Sequence, residues 1–280
     1  MHRRKFGSTG IDVPVIGLGT WRLEEEDRQE AIAALQAGID AGASHVDTAE
    51  MYGGGKAEEV VAEAIAGRRD RVYLVTKVLP ENASRAGVVR SCEASLARLK
   101  TDHLDCYLLH WPGPHPLEAT LEGFEELQQA GKIRSYGVSN FDVELLEQVV
   151  ALAGPGKIAC NQVLHHLEER YAEDRLLGPC KRLGVALVAY SPFGSGEFPS
   201  DTSDGGRVLA EVAGEQGVST RQIALAFLIR LEGTFAIPKS RSARRVVENA
   251  AASHVKLTQD QVLRLETAFP VRSRRALPTL

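Results

Sequence analysis

A chain of 280 residues with 44% hydrophobic and 25% charged side chains, and no run of about eighteen uncharged apolar residues, reads as one soluble globular domain spanning 1–280 rather than a membrane span or a disordered chain. A formal charge of −4 provides no global field for nucleic acid or an anionic membrane surface, so any basic site has to be local. The four cysteines are widely spaced and the eight histidines form no metal-ligand spacing, so neither disulfides nor a metal site is expected.

The amino terminus MHRRKFGSTG has arginines without an apolar stretch behind them, so no secretory signal is expected and the cytoplasm is the expected location. KFGSTGIDVPV reads as a β-hairpin able to plug one end of a barrel. From there a short β-branched run alternates with an amphipathic helical run. The first strand is VIGLG (15–19), followed by a helix over about 27–41; the acidic run Glu24 to Asp27 reads as a solvated helix start that suits the macrodipole. SHVDT pairs with the helix KAEEVVAEAIAG, RVYLVTK with SRAGVVRSCEASLARL, and LDCYLLH with LEATLEGFEELQQAG. IRSYGVS, KIACNQV and VALVAYS follow, with helices over VELLEQVVAL, AEDRLLGPCKRLG, and both 207–216 and 220–230. TFAIPK and SARRVVENAA complete the eighth unit, and TQDQVLRLETAF adds a carboxyl-terminal helix. The polar segment between Gly194 and Gly206 reads as a mobile loop over the barrel mouth.

Eight strand–helix units in succession indicate an α/β chain of the (β/α)₈ TIM-barrel class, with the hairpin before it and an extra helix after it. Neither glycine-rich stretch supports a different nucleotide fold. Gly17-Leu18-Gly19-Thr20-Trp21-Arg22 has arginine where a Rossmann turn needs its third glycine. Gly53-Gly54-Gly55-Lys56 lacks the earlier glycine and following Ser or Thr of a phosphate loop.

In such a barrel the chemistry lies where strands end. The strand ends supply Asp47, Lys77, His110, Ser139 with Asn140, Asn161 with Gln162, Tyr190 with Ser191, and Lys239, while Tyr52 follows Asp47 in its loop. Any one of these could be an ordinary capping or packing residue; their joint occurrence is the signal. A phenol near its ordinary pKa of about 10 is a poor acid at neutral pH unless a cation stabilises its phenolate. Lys77 can be that cation, Asp47 can hold it charged, and His110 can donate to the same carbonyl oxygen. No member of the set supplies electrons, so a hydride has to come from a cofactor.

Asp47, Tyr52, Lys77 and His110 together resemble the catalytic tetrad of the aldo-keto reductases, and the resemblance runs from Gly17-Leu18-Gly19-Thr20-Trp21 to Glu248-Asn249. Asp47-Thr48-Ala49 with Tyr52 is similar to one family signature, Leu108-Leu109-His110-Trp111 to a second, and Ile237-Pro238-Lys239-Ser240 with Arg245, Glu248 and Asn249 to a third. The resemblance implies NADPH/NADP+ as cofactor and a small carbonyl compound as substrate. Ser139, Asn140 and Gln162 would meet the nicotinamide carboxamide and Tyr190 would stack on the ring. Lys239, Ser240 and Arg245 would meet the 2′-phosphate, and Glu248 and Asn249 the adenine; Arg241, where many relatives have an aromatic or small residue, is either a further phosphate contact or a solvated charge. It also assigns to the cofactor surface Gly19, Thr20, Trp21, Asp47, Ser191, Pro192, Phe193, Ser195, Ile237 and Pro238, and to the substrate pocket Trp21, Tyr52, His110 and Trp111. Phe193 and the stretch Leu164-His165-His166-Leu167 depart from the family pattern.

AEMYGGGKAEEVV and ASLARLKTDHLDCYLLHW are most similar to bacterial members that reduce small dicarbonyls of the methylglyoxal type. The short tail after Phe269 implies an open pocket without a long carboxyl-terminal wall. No nucleic-acid or membrane partner is expected, and a monomer is the expected state. Two other readings stand beside the reductase: a Schiff-base aldolase using Lys77 as nucleophile, and a non-catalytic NADPH-binding regulatory subunit.

Overall fold

A computed structural model describes residues 1–272 and 276–280 of the chain. The expected hairpin pairs β1 (Arg3–Lys5) with β2 (Asp12–Pro14) in antiparallel register. Phe6 leaves it and packs fully buried against Phe235, Tyr73 and His45, at ring-centroid distances of 5.0, 5.1 and 5.6 Å. Because Tyr73, His45 and Phe235 lie at or near the starts of their strands, the hairpin closes the amino-terminal end of the barrel.

Eight parallel strands follow in sequence order around that barrel: β3 (Leu18–Gly19), β4 (His45–Asp47), β5 (Tyr73–Val78), β6 (Leu104–Leu109), β7 (Ile133–Ser139), β8 (Ile158–Leu164), β9 (Ala186–Tyr190) and β10 (Thr234–Ala236). A parallel bridge between Ile16 and Ala236 joins first to last. There Ala236 N donates to Val15 O at 2.9 Å and Gly17 N donates to Ala236 O at 2.8 Å. Gly19 is needed at this seam, since a Cβ there would lie 2.6 Å from the Ile237 carbonyl oxygen.

Helices α1 (Arg28–Asp40), α2 (Lys56–Ile65), α3 (Arg85–Leu99), α4 (Leu117–Gln129), α5 (Val143–Ala153) and α6 (Leu177–Leu183) cover the strands, with α7 (Asp204–Gln216), α8 (Thr220–Leu228), α9 (Ala243–Ala251) and the extra α10 (Gln259–Ala268) after β9. Their starts are set by side-chain caps: Asp27 accepts from Glu30 N, Ser84 from Gly87 N, and Ser219 and Thr258 form reciprocal boxes with Gln222 and Gln261. One helix departs from expectation. The run from Ala172 opens as a wide π turn (Ala172–Leu176) before α6, because Pro179 cannot donate to the carbonyl four residues back, at Arg175.

Strand periodicity of two separates two cores. Val75, Cys106, Leu108, Cys160 and Val188 fill the barrel interior, while Leu74, Tyr107, Leu109 and Leu187 meet the helices. A third cluster lies among α7, α8 and α10. The Gly194–Gly206 segment is tied to it more firmly than its polarity suggests. Phe198 stacks edge-on to Phe193 at 5.8 Å, the Arg221 guanidinium lies 4.7 Å from the Phe198 ring, and Ser203 caps α7. No helix among the described residues is long and apolar enough to cross a membrane.

Candidate active site

The same period of two explains why the chemistry converges. Along β4, β5, β6 and β8 the inward positions alternate, and the polar residues they bring in towards the carboxyl ends are Asp47, Lys77, His110 just past β6, and Gln162, with Ser139 and Tyr190 at the ends of β7 and β9. Asn161, one residue from Gln162, points the other way. Its amide donates to Phe141 O at 2.8 Å, so this candidate is a buried loop support outside the site.

Lys77 is fully buried, and its Nζ donates to Asp47 Oδ1 at 2.5 Å and to Thr48 O at 2.8 Å. The second Asp47 oxygen accepts from Gln162 Nε2 at 2.7 Å, and Thr20 Oγ1 donates to the Asp47 carbonyl at 2.9 Å. Burial pulls the lysine's pKa down, but the Asp47 carboxylate and the Tyr52 phenol outweigh it, so the net shift is upward and the ammonium stays charged. This ammonium lies 5.2 Å from the Tyr52 ring centroid, close enough for its charge to act on the phenol. Here expectation and structure differ: burial raises the phenol's pKa, and the opposing pull of Lys77 reduces that rise without reversing it. Tyr52 is therefore fully protonated at neutral pH, the form a proton donor needs.

Gly53, Gly54 and Gly55 follow with φ of 58°, 62° and 93°, a left-handed run that turns the chain directly into α2. A Cβ at Gly53 would lie 2.4 Å from Glu24 Cγ, so packing as well as backbone conformation demands glycine.

His110 faces Tyr52 with ring centroids 5.8 Å apart and Trp111 at 4.7 Å. Burial, reinforced by the Lys77 charge, pushes its pKa down to about 2, and its Nδ1 is buried without a hydrogen-bond partner among the described residues. The ring is neutral across the physiological range yet keeps one N–H to donate. Any activity that uses it should show no ionisation between about pH 5 and 8, where an ordinary histidine titrates. A turnover–pH profile with a step near 6.5 that disappears in His110→Gln would contradict this assignment.

These groups open into a cleft of about 240 Å³ walled by Trp21, Met51, Tyr52 and Trp111. Leu280 also lines it, as does Tyr190. The expectation of an open pocket has to be amended accordingly: the tail supplies a short wall. On the opposite side, Tyr190 OH donates to Asn140 Oδ1 at 3.0 Å, Asn140 Nδ2 donates to Ser139 Oγ and the His110 carbonyl, and Ser139 Oγ donates to Gln162 O. Asn140 and Ser191 hold left-handed φ values of 61° and 47°, the kind of local strain that collects at sites. Burial pushes the Tyr190 phenol up to about 12, so it acts as a neutral ring.

A second groove of about 440 Å³ shares Trp21, Ser191 and Lys239 with the cleft and continues past Pro192, Phe193 and Ser195. Gly19, Thr20 and Ile237 line the cleft, and Pro238 contributes its carbonyl to Gly19 N at 3.1 Å. Ser240, Arg241, Arg245, Glu248 and Asn249 line neither cavity. Arg241 and Arg245 are exposed at the start of α9 and Asn249 is buried beneath it. One residue missed in the sequence belongs to this region: Glu26, read as a solvated helix start, accepts hydrogen bonds from Lys239 at 2.7 Å and Arg241 at 2.9 Å.

The aldo/keto reductase family model matches residues 15–269. The chain is 41% identical to methylglyoxal reductase YeaE of Escherichia coli K12 over 265 residues, covering 94% of this chain and 93% of that protein. It is 33% identical to glyoxal reductase of Bacillus subtilis 168, covering 92% and 89%. An aldo-keto reductase from Klebsiella pneumoniae, crystallised with NADPH, superposes with a TM-score of 0.92 at 42% identity over the full length of both chains. The signatures at Asp47, His110 and Lys239, the closed eight-stranded barrel and these similarities agree, and the chain belongs to the aldo/keto reductase family.

Proposed function

We propose that the protein reduces small aldehydes and ketones, dicarbonyls of the methylglyoxal type among them, with NADPH as hydride donor and Tyr52 as general acid. The observation that carries this reading is the hydrogen-bonded chain Gln162–Asp47–Lys77, which sets a fully buried ammonium 5.2 Å from the ring centroid of Tyr52, a residue that lines the cleft. Such a chain has one evident use: it keeps a cation beside a phenol that must give up its proton and hold the resulting charge. The carbonyl oxygen would sit between the Tyr52 hydroxyl and the neutral His110 ring. Tyr52 passes its proton to that oxygen as negative charge develops, and Lys77 stabilises the phenolate.

The trench formed by the cleft and its neighbouring groove suits an extended dinucleotide, with the half-buried Tyr190 ring and the Ser139–Asn140–Gln162 group at one end and Lys239 towards the other. When bound, the nicotinamide supplies the hydride. The relatives named for methylglyoxal and glyoxal reduction, and the NADPH complex of the Klebsiella protein, support this choice of substrate and cofactor. All four tetrad residues come from one chain, which is consistent with a working monomer.

The aldolase reading has the geometry against it, since an ammonium held by a carboxylate and a backbone carbonyl is not a free amine nucleophile. A purely regulatory subunit would not need the assembled tetrad. Mixing the protein with NADPH and then methylglyoxal separates the three. The reductase reading expects quenching of cofactor fluorescence followed by oxidation of NADPH; quenching without oxidation by any of a panel of short aldehydes and ketones would favour the regulatory subunit.

Cofactor choice gives a further expected result. Among the described residues no side-chain partner holds the exposed Arg245 guanidinium, which leaves it available to a phosphate. Losing one charge-assisted contact costs about 1.5 to 3 kcal/mol. Arg245→Ala should therefore weaken NADPH binding by roughly ten- to a hundredfold and barely change NADH binding. Equal losses for both cofactors would refute the phosphate assignment.

A further inference from the structure

The acidic run before α1 divides its work. Asp27 caps the helix and Glu25 pairs with Arg22 at 2.8 Å. Glu26 turns towards the last barrel loop instead: its Oε1 accepts from Lys239 Nζ at 2.7 Å and its Oε2 from Arg241 Nη1 at 2.9 Å. Its side chain is 19% exposed, against 29% for Lys239 and 66% for Arg241, so the carboxylate is the least accessible member of the trio. The two bonds hold its carboxyl below the usual carboxylate range, so it is ionised whenever the site is in use. Glu26 and Lys239 also border the same groove beside Trp21 and Ser191.

A carboxylate thus already uses hydrogen bonds that an incoming phosphate would need. We propose that Glu26 is a specificity-determining residue, a resident anion that competes with the 2′-phosphate of NADPH for Lys239 and Arg241 and so limits the preference for NADPH over NADH. The inference rests on the NADPH reading above. A phosphate reaching Lys239 either displaces Glu26 or settles beside it, and the first breaks an ion pair while the second sets like charges together. A cofactor without that phosphate leaves the trio as it stands. Both cations are partly exposed, so the penalty is modest: each such pair is worth less than a tenfold change in affinity.

The test is equilibrium titration of NADPH and NADH by cofactor fluorescence against wild type, Glu26→Gln and Glu26→Ala, at low and moderate salt, with thermal melts confirming that each variant is folded. Competition predicts NADPH binding tighter by roughly three- to tenfold in both variants and NADH binding within about twofold of wild type. It also predicts a steeper loss of NADPH affinity with salt, because one more cation is left uncompensated. NADPH binding that is unchanged or weaker in the two variants would overturn the proposal, since Glu26 would then be holding Lys239 in place rather than competing for it. Lys239→Ala in the same titration keeps the two ideas apart. If it leaves NADPH affinity at the wild-type value, the phosphate assignment itself is wrong.

Discussion

Tyr52→Phe is expected to lower turnover with methylglyoxal by roughly 10²- to 10⁴-fold, the usual contribution of a positioned general acid, while NADPH affinity stays within about twofold. The substitution deletes one hydroxyl and keeps the ring that faces His110 at 5.8 Å and lies over Lys77 at 5.2 Å, so the walls of the cleft persist. The lost atom is the proposed proton donor, whose pKa the Lys77 charge pulls down against burial. Steady-state turnover and cofactor titration, measured separately, check the two halves. Retained turnover would remove Tyr52 from the proton-donor role, and loss of both quantities would show that the ring mattered for structure instead.

Lys77→Met carries a second large effect, and it appears in two measurements. Without the ammonium, burial continues to raise the phenol's pKa and nothing opposes it, so turnover should fall nearly to background. Stability should fall as well, because Asp47, 1% exposed, is left as a buried carboxylate with only Gln162 as side-chain donor. Breaking a buried pair from one side costs about 3 to 5 kcal/mol, which urea unfolding resolves. Adding Asp47→Asn removes the stranded charge and should recover much of that stability without recovering turnover. A Lys77→Met protein as stable as wild type would mean that the pair is better hydrated than its burial indicates.

Much of this was legible because period-two strands and amphipathic helices alternate without interruption, and because an inward side chain at the end of a barrel strand has to meet its neighbours. Asp47, Lys77, His110 and Gln162 converge for that reason alone. What escaped depends on distances that a one-dimensional pattern does not encode. Asn161 and Gln162 are equally polar, and only the pleat decides that one supports Phe141 while the other reaches Asp47. Phe198 is a single aromatic in a polar run, and its anchoring needed Phe193 and Arg221 from elsewhere in the fold. Pro179 was a readable signal for the wide turn ahead of α6. Leu280 and Glu26 lie far in sequence from Tyr190 and Lys239, and no local spacing links those pairs. The balance of burial against Lys77 at Tyr52 is likewise a property of the packed site.

The measurement that tests the central claim most directly is a double-mutant cycle on turnover number with Asp47→Asn and Lys77→Met, with NADPH binding determined for each variant. If Asp47 acts by holding Lys77 charged beside Tyr52, Asp47→Asn alone should leave weak but measurable activity, Lys77→Met alone almost none, and the second substitution should add little to the first, since residues that act as a unit are non-additive. Strict additivity of the two effects would contradict the account, because Asp47 would then work independently of Lys77 and the proton on Tyr52 would need another cation to release it.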